Sequence, residues 1–155
     1  MGWLTKIFGK KPEDFEIELG PEWKAAHEDT HFCWNDEANL RQVTISVLRS
    51  KKRLEKPELF IAALDLLRIR QELIMNLSNG QATISEPISV NRDDGFDITA
   101  LAVDPVNEVQ IKFAVLARPL RTISVSFNKY DPPLPDDEFE HQAASVLSAV
   151  KVRQD

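Results

Sequence analysis

The 155-residue chain has one cysteine, five glycines and no long apolar run, and each shortage excludes a class of protein. Because Cys33 has no second cysteine to pair with, no disulfide can form within the chain. The few glycines form neither G-x-G-x-x-G nor a phosphate-binding loop. No stretch approaches the roughly 20 apolar residues of a membrane-spanning helix, and residues 1–11 do not resemble a secretory signal. We therefore expect a cytoplasmic protein.

Positive charge is scarce as well. The 19 lysines and arginines are outnumbered by 25 aspartates and glutamates, which gives a formal net charge of −6. A general nucleic-acid-binding protein normally carries a basic patch, so we expect no nucleic-acid partner. Hydrophobic residues make up 43% of the chain and charged residues 28%, which is ordinary for a globular protein. The length predicts one domain, which we assign to residues 13–155, after a basic tail of residues 1–12.

The residues that usually carry catalysis or metal binding are few and poorly spaced. His27 and His31 lie four apart, but the surrounding pattern is loop and strand, and no third ligand follows nearby. His141 falls on the polar side of a predicted helix. No serine stands in G-x-S-x-G, and Cys33 has no evident base beside it in the sequence. We therefore predict a non-enzymatic protein with no catalytic residue, no cofactor and no metal site.

Residues 96–150 determine the predicted fold. From Thr122 to Asn128 polar and apolar residues alternate, which is typical of a strand with one buried face. Phe96–Val103 and Val109–Val115 are also strand-like, and short turns separate the three runs, which favours adjacent antiparallel strands. A C-terminal helix is predicted next, with Lys151 and Arg153 near its end. Its apolar residues share one side: Phe139, Ala143, Val146, Leu147 and Val150.

The N-terminal half and the middle of the chain contain further strand-like segments. Pro87 places the segment Ala82–Val90 at a sheet edge or at a bulge, because proline has no N–H to donate to a strand ladder. Asn91–Gly95 then closes a hairpin. The predicted strands are Phe15–Leu19, His31–Trp34, Gln42–Leu48 and Ala82–Val90.

The longest predicted helix runs from Pro57 to Leu77, about 31 Å at 1.5 Å per residue. Proline suits the first turn, and no other proline or glycine follows before Gly80. Its apolar residues cover roughly twice the 100° arc that an ordinary surface helix needs. Something besides the sheet therefore has to cover them: another segment of the chain, a second copy in a homodimer, or a client protein. The candidate partner-binding residues on this helix are Leu66, Ile69, Arg70, Leu73 and Leu77.

Arg70 is the most unusual residue of this helix, because it projects into the apolar arc. Two interpretations are open. Its aliphatic stem can pack while the charged head reaches water, as long basic side chains commonly do. Alternatively, Arg70 anchors a partner by pairing with a carboxylate in a groove or interface.

The tail has its own apolar spacing. Trp3, Leu4, Ile7 and Phe8 lie one helical turn apart beside several lysines, so Trp3 and Phe8 are candidate contacts to a partner or to a membrane surface. The alternative is a frayed terminus, or one that folds back on the domain, because isolated helices this short are marginal in water.

Two segments resemble the PsbP-like α/β/α sandwich. Residues 15–23, FEIELGPEW, are similar to the family's opening strand and its Pro-x-Trp corner, and Thr122–Tyr130 with the helix after it is similar to the family's ending. The resemblance covers residues 15–150. The superfamily includes an oxygen-evolving photosystem subunit, a eukaryotic Ran-binding import factor and small bacterial families, some of them adaptor chaperones. This chain lacks the signal or lipid-attachment cysteine of the exported members, and no functional residue carries over.

The resemblance implies an antiparallel α+β sheet with a long central helix and a packed C-terminal helix, in a non-catalytic binding module. We accordingly expect a cytoplasmic protein-binding module that acts as an adaptor, chaperone or inhibitor. It would bind through the surplus apolar face of the long helix or through the open face of the sheet. The alternative is a small-ligand-binding protein, or an enzyme without a recognisable signature, with a pocket between helix and sheet.

Overall fold

The structure is a computed structural model, and it describes residues 12–154. Trp3 and Phe8, with the rest of residues 1–11, lie outside that range. The elements in chain order are β1 (Phe15–Ile17), β2 (Lys24–Ala25), β3 (Phe32–Asp36), β4 (Arg41–Arg49), α1 (Lys56–Leu77), β5 (Thr83–Ile84), β6 (Ile88–Asn91), β7 (Phe96–Asp104), β8 (Val109–Arg118), β9 (Arg121–Tyr130), α2 (Asp136–Ala149) and β10 (Val150–Val152).

Eight strands form one antiparallel sheet in the order β2-β3-β4-β9-β8-β7-β5, with β6 also paired to β7. Strand β9 lies at its centre between β4 and β8, and the four longest strands, β4, β7, β8 and β9, are segments that the sequence predicts as strands. A second pair, β1 and β10, joins the two ends of the described chain.

The two helices pack on opposite faces of the sheet. Alternation sends Phe113 and Val115 of β8 toward α1, whereas Val125 and Phe127 of β9 face α2. Helix α1 lies on β7 and β8, and α2 lies on β8 and β9. The architecture is therefore the α/β/α sandwich that the sequence predicts, with one apolar core on each face.

Helix α1 begins and ends where its sequence indicates. Glu55 and Glu58 form a reciprocal capping box, in which the Glu55 N–H donates to Glu58 Oε1 at 3.3 Å. Pro57 lies in the first turn. After the last turn Gly80 adopts a φ of 77°, a left-handed conformation that glycine enters without steric penalty.

Strands β1, β3 and β4 differ from the predicted bounds by one or two residues at their ends, and two larger differences change an element. The run Ala82–Val90 is two short strands, because Pro87 interrupts pairing and separates β5 from β6 along the same edge of β7. The C-terminal helix stops at Ala149, because Val150–Val152 extends to pair with β1. Lys151 therefore belongs to a strand and not to the end of the helix. No helix within residues 12–154 is long and apolar enough to cross a membrane.

Candidate protein-binding surface

Helix α1 keeps an apolar row on one flank. Ile69, Leu73 and Leu77 lie four residues apart and are 58%, 46% and 62% exposed. Leu66 continues the row toward the N-terminus but is partly buried against the core. The structure thus brings four of the candidate residues together, with the three most C-terminal of them open to solvent. We call Leu66, Ile69, Leu73 and Leu77 the leucine row.

Beyond α1 the same face of the sheet carries mostly polar side chains, with the exposed Leu48 as an exception. Paired residues in adjacent strands point to one side, so Val115, Ser124 and Ser46 share the face on which α1 lies. Because α1 packs on β7 and β8, Thr44 and Ser46 of β4 stay half-exposed. We call this area, which comprises the α1-side residues of β3, β4 and β9, the polar floor.

Hydrogen bonds connect the polar floor across three strands. Ser126 Oγ donates to Asn128 Oδ1 at 2.9 Å, and Asn128 Nδ2 donates to Gln42 Oε1 at 3.3 Å. Gln42 Nε2 continues to Asn35 Oδ1 at 3.1 Å, while Tyr130 Oη donates to Gln42 Oε1 at 3.2 Å. These bonds hold the amide side chains in defined orientations, so the floor is an ordered polar surface beside an apolar wall.

Arg70 lies where the leucine row meets the polar floor. Its stem is half-buried and its Nη2 donates to Ser124 Oγ at 3.5 Å, a long bond. Burial lowers the pKa of the Arg70 guanidinium from its ordinary value. Within residues 12–154 no carboxylate lies close enough to Arg70 to form an ion pair.

The other shielded arginines of the described chain are paired with carboxylates. Arg41 Nη2 lies 2.6 Å from Asp36 Oδ2, and Arg118 Nη1 lies 2.8 Å from Asp97 Oδ1. Arg121 Nε lies 3.3 Å from Asp14 Oδ1. Arg70 therefore differs from these three arginines, because the acceptor that the described chain provides for its guanidinium is the Ser124 hydroxyl and not a carboxylate.

A polar cleft of ≈ 460 Å³ lies between the start of α2 and the sheet. Lys129 lines it and is only 6% exposed, and its Nζ donates to the carbonyl oxygens of Tyr130 and Pro132, each at 2.7 Å. Arg41, Glu138 and Gln142 line the same cleft. The cleft lies between helix and sheet, where the alternative function places a pocket, but its surface is mainly polar and not the apolar pocket that this alternative predicts.

The side chains of His27 and Cys33 have packing roles, whereas His141 is exposed on α2. His27 Nδ1 accepts the backbone N–H of Cys33 at 3.0 Å, and its ring packs edge-on against Phe32 and Trp34. Burial raises the pKa of the Cys33 thiol, which disfavours the reactive thiolate. Among residues 12–154 no group of three or more His, Cys, Asp or Glu side chains could hold a metal ion.

Sequence reasoning identified the residues of the leucine row, Arg70 and the polar side of Thr122–Asn128, but not which sheet face is open, the extent of the polar floor or the cleft at Lys129. The floor residues are the polar half of the alternating strands, which appear in the sequence simply as a solvated face. Their register across β3, β4 and β9 is what makes them one surface.

No protein-family profile matches the chain, and no curated protein matches it. The solution structure of cyanobacterial PsbP (CyanoP) from Synechocystis sp. PCC 6803 aligns with a TM-score of 0.67 at 15% identity, over 90% of this chain and 87% of that one. A crystal structure from Bacteroides thetaiotaomicron VPI-5482 aligns with a TM-score of 0.51 at 12% identity, over 91% of this chain and 46% of that one. The chain thus spans about half of the Bacteroides protein. The fold is PsbP-like.

Proposed function

We propose that this PsbP-like chain is a non-enzymatic protein-binding module of the cytoplasm, which acts as an adaptor, chaperone or inhibitor. The observation that carries the proposal is the leucine row, whose exposed members adjoin the polar floor on a well-packed helix. A fully buried Leu or Ile contributes about 1.5–3 kcal/mol relative to an exposed one, so covering Ile69, Leu73 and Leu77 is a substantial driving force for association.

The shape of the surface also favours binding of a protein. A rigid helix beside an ordered polar sheet presents an apolar centre with a polar margin, which is the usual anatomy of a protein interface. Since α1 is anchored by the buried side chains Leu59, Ala63, Leu67 and Ile74, its outer flank keeps its position when a partner approaches.

The test is a charge substitution in the leucine row. Leu73→Asp is expected to abolish capture of the native partner by the tagged protein, while circular dichroism and the melting temperature stay close to wild type. Ile61→Asp is the matched control, because Ile61 is 62% exposed on the same helix but on a different side. Equal loss of capture in both variants, or unchanged capture in Leu73→Asp, would contradict the proposal.

A second copy of the chain is the other possible occupant of the leucine row that the sequence left open. Light scattering on the purified chain, with and without Leu73→Asp, decides between a partner protein and a second copy. A dimer that Leu73→Asp dissociates would assign the leucine row to a second copy of the chain. We expect a monomer.

The tail of residues 1–11 is tested by its deletion. We expect the deletion not to change the oligomeric state measured by light scattering. Sedimentation of the full chain with anionic vesicles tests whether the tail contacts a membrane surface.

A second candidate function is binding of a small carboxylate-bearing molecule in the cleft at Lys129. The observation in its favour is that the shielded ammonium of Lys129 bonds only to carbonyl oxygens within the described chain. A thermal-shift screen with small carboxylic acids is the test. A stabilising acid whose effect disappears in Lys129→Met would support this function, and a screen without any such acid would oppose it.

A further inference from the structure

We propose that the partner places a carboxylate on Arg70, so that the leucine row selects an apolar segment containing an acidic residue. The inference rests on the proposed function and adds the chemistry of the partner. Arg70 lies beside Leu66 and Leu73 on the helix and contacts Ser124 on the floor, so an occupant of the row must cover its guanidinium.

Covering Arg70 without supplying an acceptor would be unfavourable. A guanidinium has five N–H donors, and the described chain provides Arg70 with one bond at 3.5 Å. If a partner excludes water from Arg70 and accepts no hydrogen bond from it, the remaining N–H groups lose their hydration without compensation. A carboxylate on the partner avoids this cost, because it can accept two parallel bonds from the guanidinium. The chain itself pairs its other shielded arginines with carboxylates, and Arg41 donates to Asp36 Oδ2 from both Nε and Nη2.

Within residues 12–154, the leucine row and the polar floor of a second copy hold no carboxylate. The acidic residues of α1, Glu58, Asp65 and Glu72, project about 120°, 140° and 160° away from Arg70 at 100° per residue. Asp65 is also bonded to Arg68 at 2.9 Å. The polar floor offers hydroxyls, amides, the Cys33 thiol and the exposed Leu48 side chain, but no acid. In a two-fold dimer through the leucine row, each Arg70 would approach an identical patch that contains a cation and no anion.

The experiment uses a phage-displayed library of random 16-residue peptides selected on the wild-type chain, on Arg70→Gln and on Leu73→Asp. We expect the wild-type selection to enrich apolar peptides with one Asp or Glu. The acid preference should disappear on Arg70→Gln, and binding should disappear on Leu73→Asp. Circular dichroism confirms that each bait is folded.

One enriched peptide and its Glu→Gln or Asp→Asn counterpart then complete a double-mutant cycle. We expect the acidic peptide to bind wild type at least ten-fold more tightly than its amide counterpart, and to lose that advantage on Arg70→Gln. Arg70→Lys should retain part of it, because a lysine keeps the charge but not the bidentate geometry.

The outcomes separate the inference from the proposed function. Peptides that depend on Leu73 but show no acid preference would overturn the inference alone. Failure to obtain any Leu73-dependent peptide would count against both. A dimer of the free chain that Leu73→Asp dissociates would identify the occupant as a second copy and would also overturn the inference.

Discussion

The guanidinium of Arg41 lies 4.7 Å from the centre of the Trp23 ring, so the Pro-x-Trp corner packs on a charged group of strand β4. Arg41 also donates to Asp36 Oδ2 from Nε at 3.0 Å, and to Gln142 Oε1 at 3.3 Å. One side chain therefore ties the corner, the β3–β4 hairpin and helix α2 together. This cation–π contact helps to hold Trp23 of the Pro-x-Trp corner against the sheet.

Asp36 should be among the most sensitive polar positions. Its carboxylate is 1% exposed and accepts bonds from Arg41 and from Asn39 Nδ2, the latter at 2.8 Å. Asp36→Ala would leave the Arg41 charge shielded without its main partner, and we expect a loss of about 3 kcal/mol in the free energy of unfolding. Urea denaturation measures it. A loss comparable to that of an exposed substitution such as Asp93→Ala would show that the cluster contributes little.

Two buried carboxylates, those of Asp36 and Asp104, make the free energy of unfolding depend on pH in the acid range. Burial opposes ionisation of Asp36 and Asp104, but hydrogen bonds from Asn39 and Arg41, and from Asn107 and Val106, outweigh it and lower the pKa of each carboxyl. A depressed pKa in the folded state stabilises the protein above the unfolded pKa, and this contribution declines as the pH falls toward the folded pKa.

We therefore expect the free energy of unfolding to fall below about pH 5. Asp36→Asn should be less stable at neutral pH and should show a shallower decline on acidification, because one of the responsible groups no longer titrates. Urea denaturation series from neutral to acid pH provide the measurement. An identical pH dependence in Asp36→Asn and wild type would contradict this assignment.

The two sides of α1 should respond differently to truncation. Leu67 is 2% exposed in the core beneath the helix, whereas Leu73 belongs to the leucine row. Leu67→Ala should cost about 2–5 kcal/mol, and Leu73→Ala should change stability by about 0.5 kcal/mol or less. Chemical denaturation of both variants tests this difference. A large loss in Leu73→Ala would mean that the leucine row is part of the core.

The sequence predicted the elements whose patterns are local and long. Strands β7, β8 and β9 and both helices follow from periods of two and 3.6 residues, and these periods directly reflect which face is buried. The breadth of the apolar arc on α1 also predicted that part of the helix would remain uncovered by the sheet. Leu66 shows what this reasoning cannot predict. Its angular position around the helix is close to that of Leu77, yet Leu66 is partly buried at the margin of the core and Leu77 is exposed.

What the sequence did not predict depends on distant partners. The extension of Val150–Val152 into a strand requires β1, more than 130 residues earlier in the chain. The polar floor requires the register of three strands, and the cleft at Lys129 requires the loop before α2 to contact the sheet. That contact is made by Gln110, whose amide donates to and accepts from the backbone of Leu134, each at 2.9 Å.

Arg70 provides a prediction in the free protein, without any partner. Because its shielded charge has no carboxylate in the described chain, Arg70→Met should replace it with an apolar side chain of similar length and raise the free energy of unfolding by about 1 kcal/mol. Arg41→Met is the control, since it would remove the main partner of the buried Asp36 and should destabilise by about 3 kcal/mol. Urea denaturation of the two variants gives both values.

The sign of the Arg70→Met effect distinguishes the two interpretations of this residue. A stabilised protein that has lost its preference for acidic peptides would identify Arg70 as a residue kept for recognition at the expense of stability. If Arg70→Met destabilises as strongly as Arg41→Met, the guanidinium supports the fold through Ser124 and the surrounding helix. In that case the leucine row could still bind a partner, but its selectivity would have to come from the polar floor.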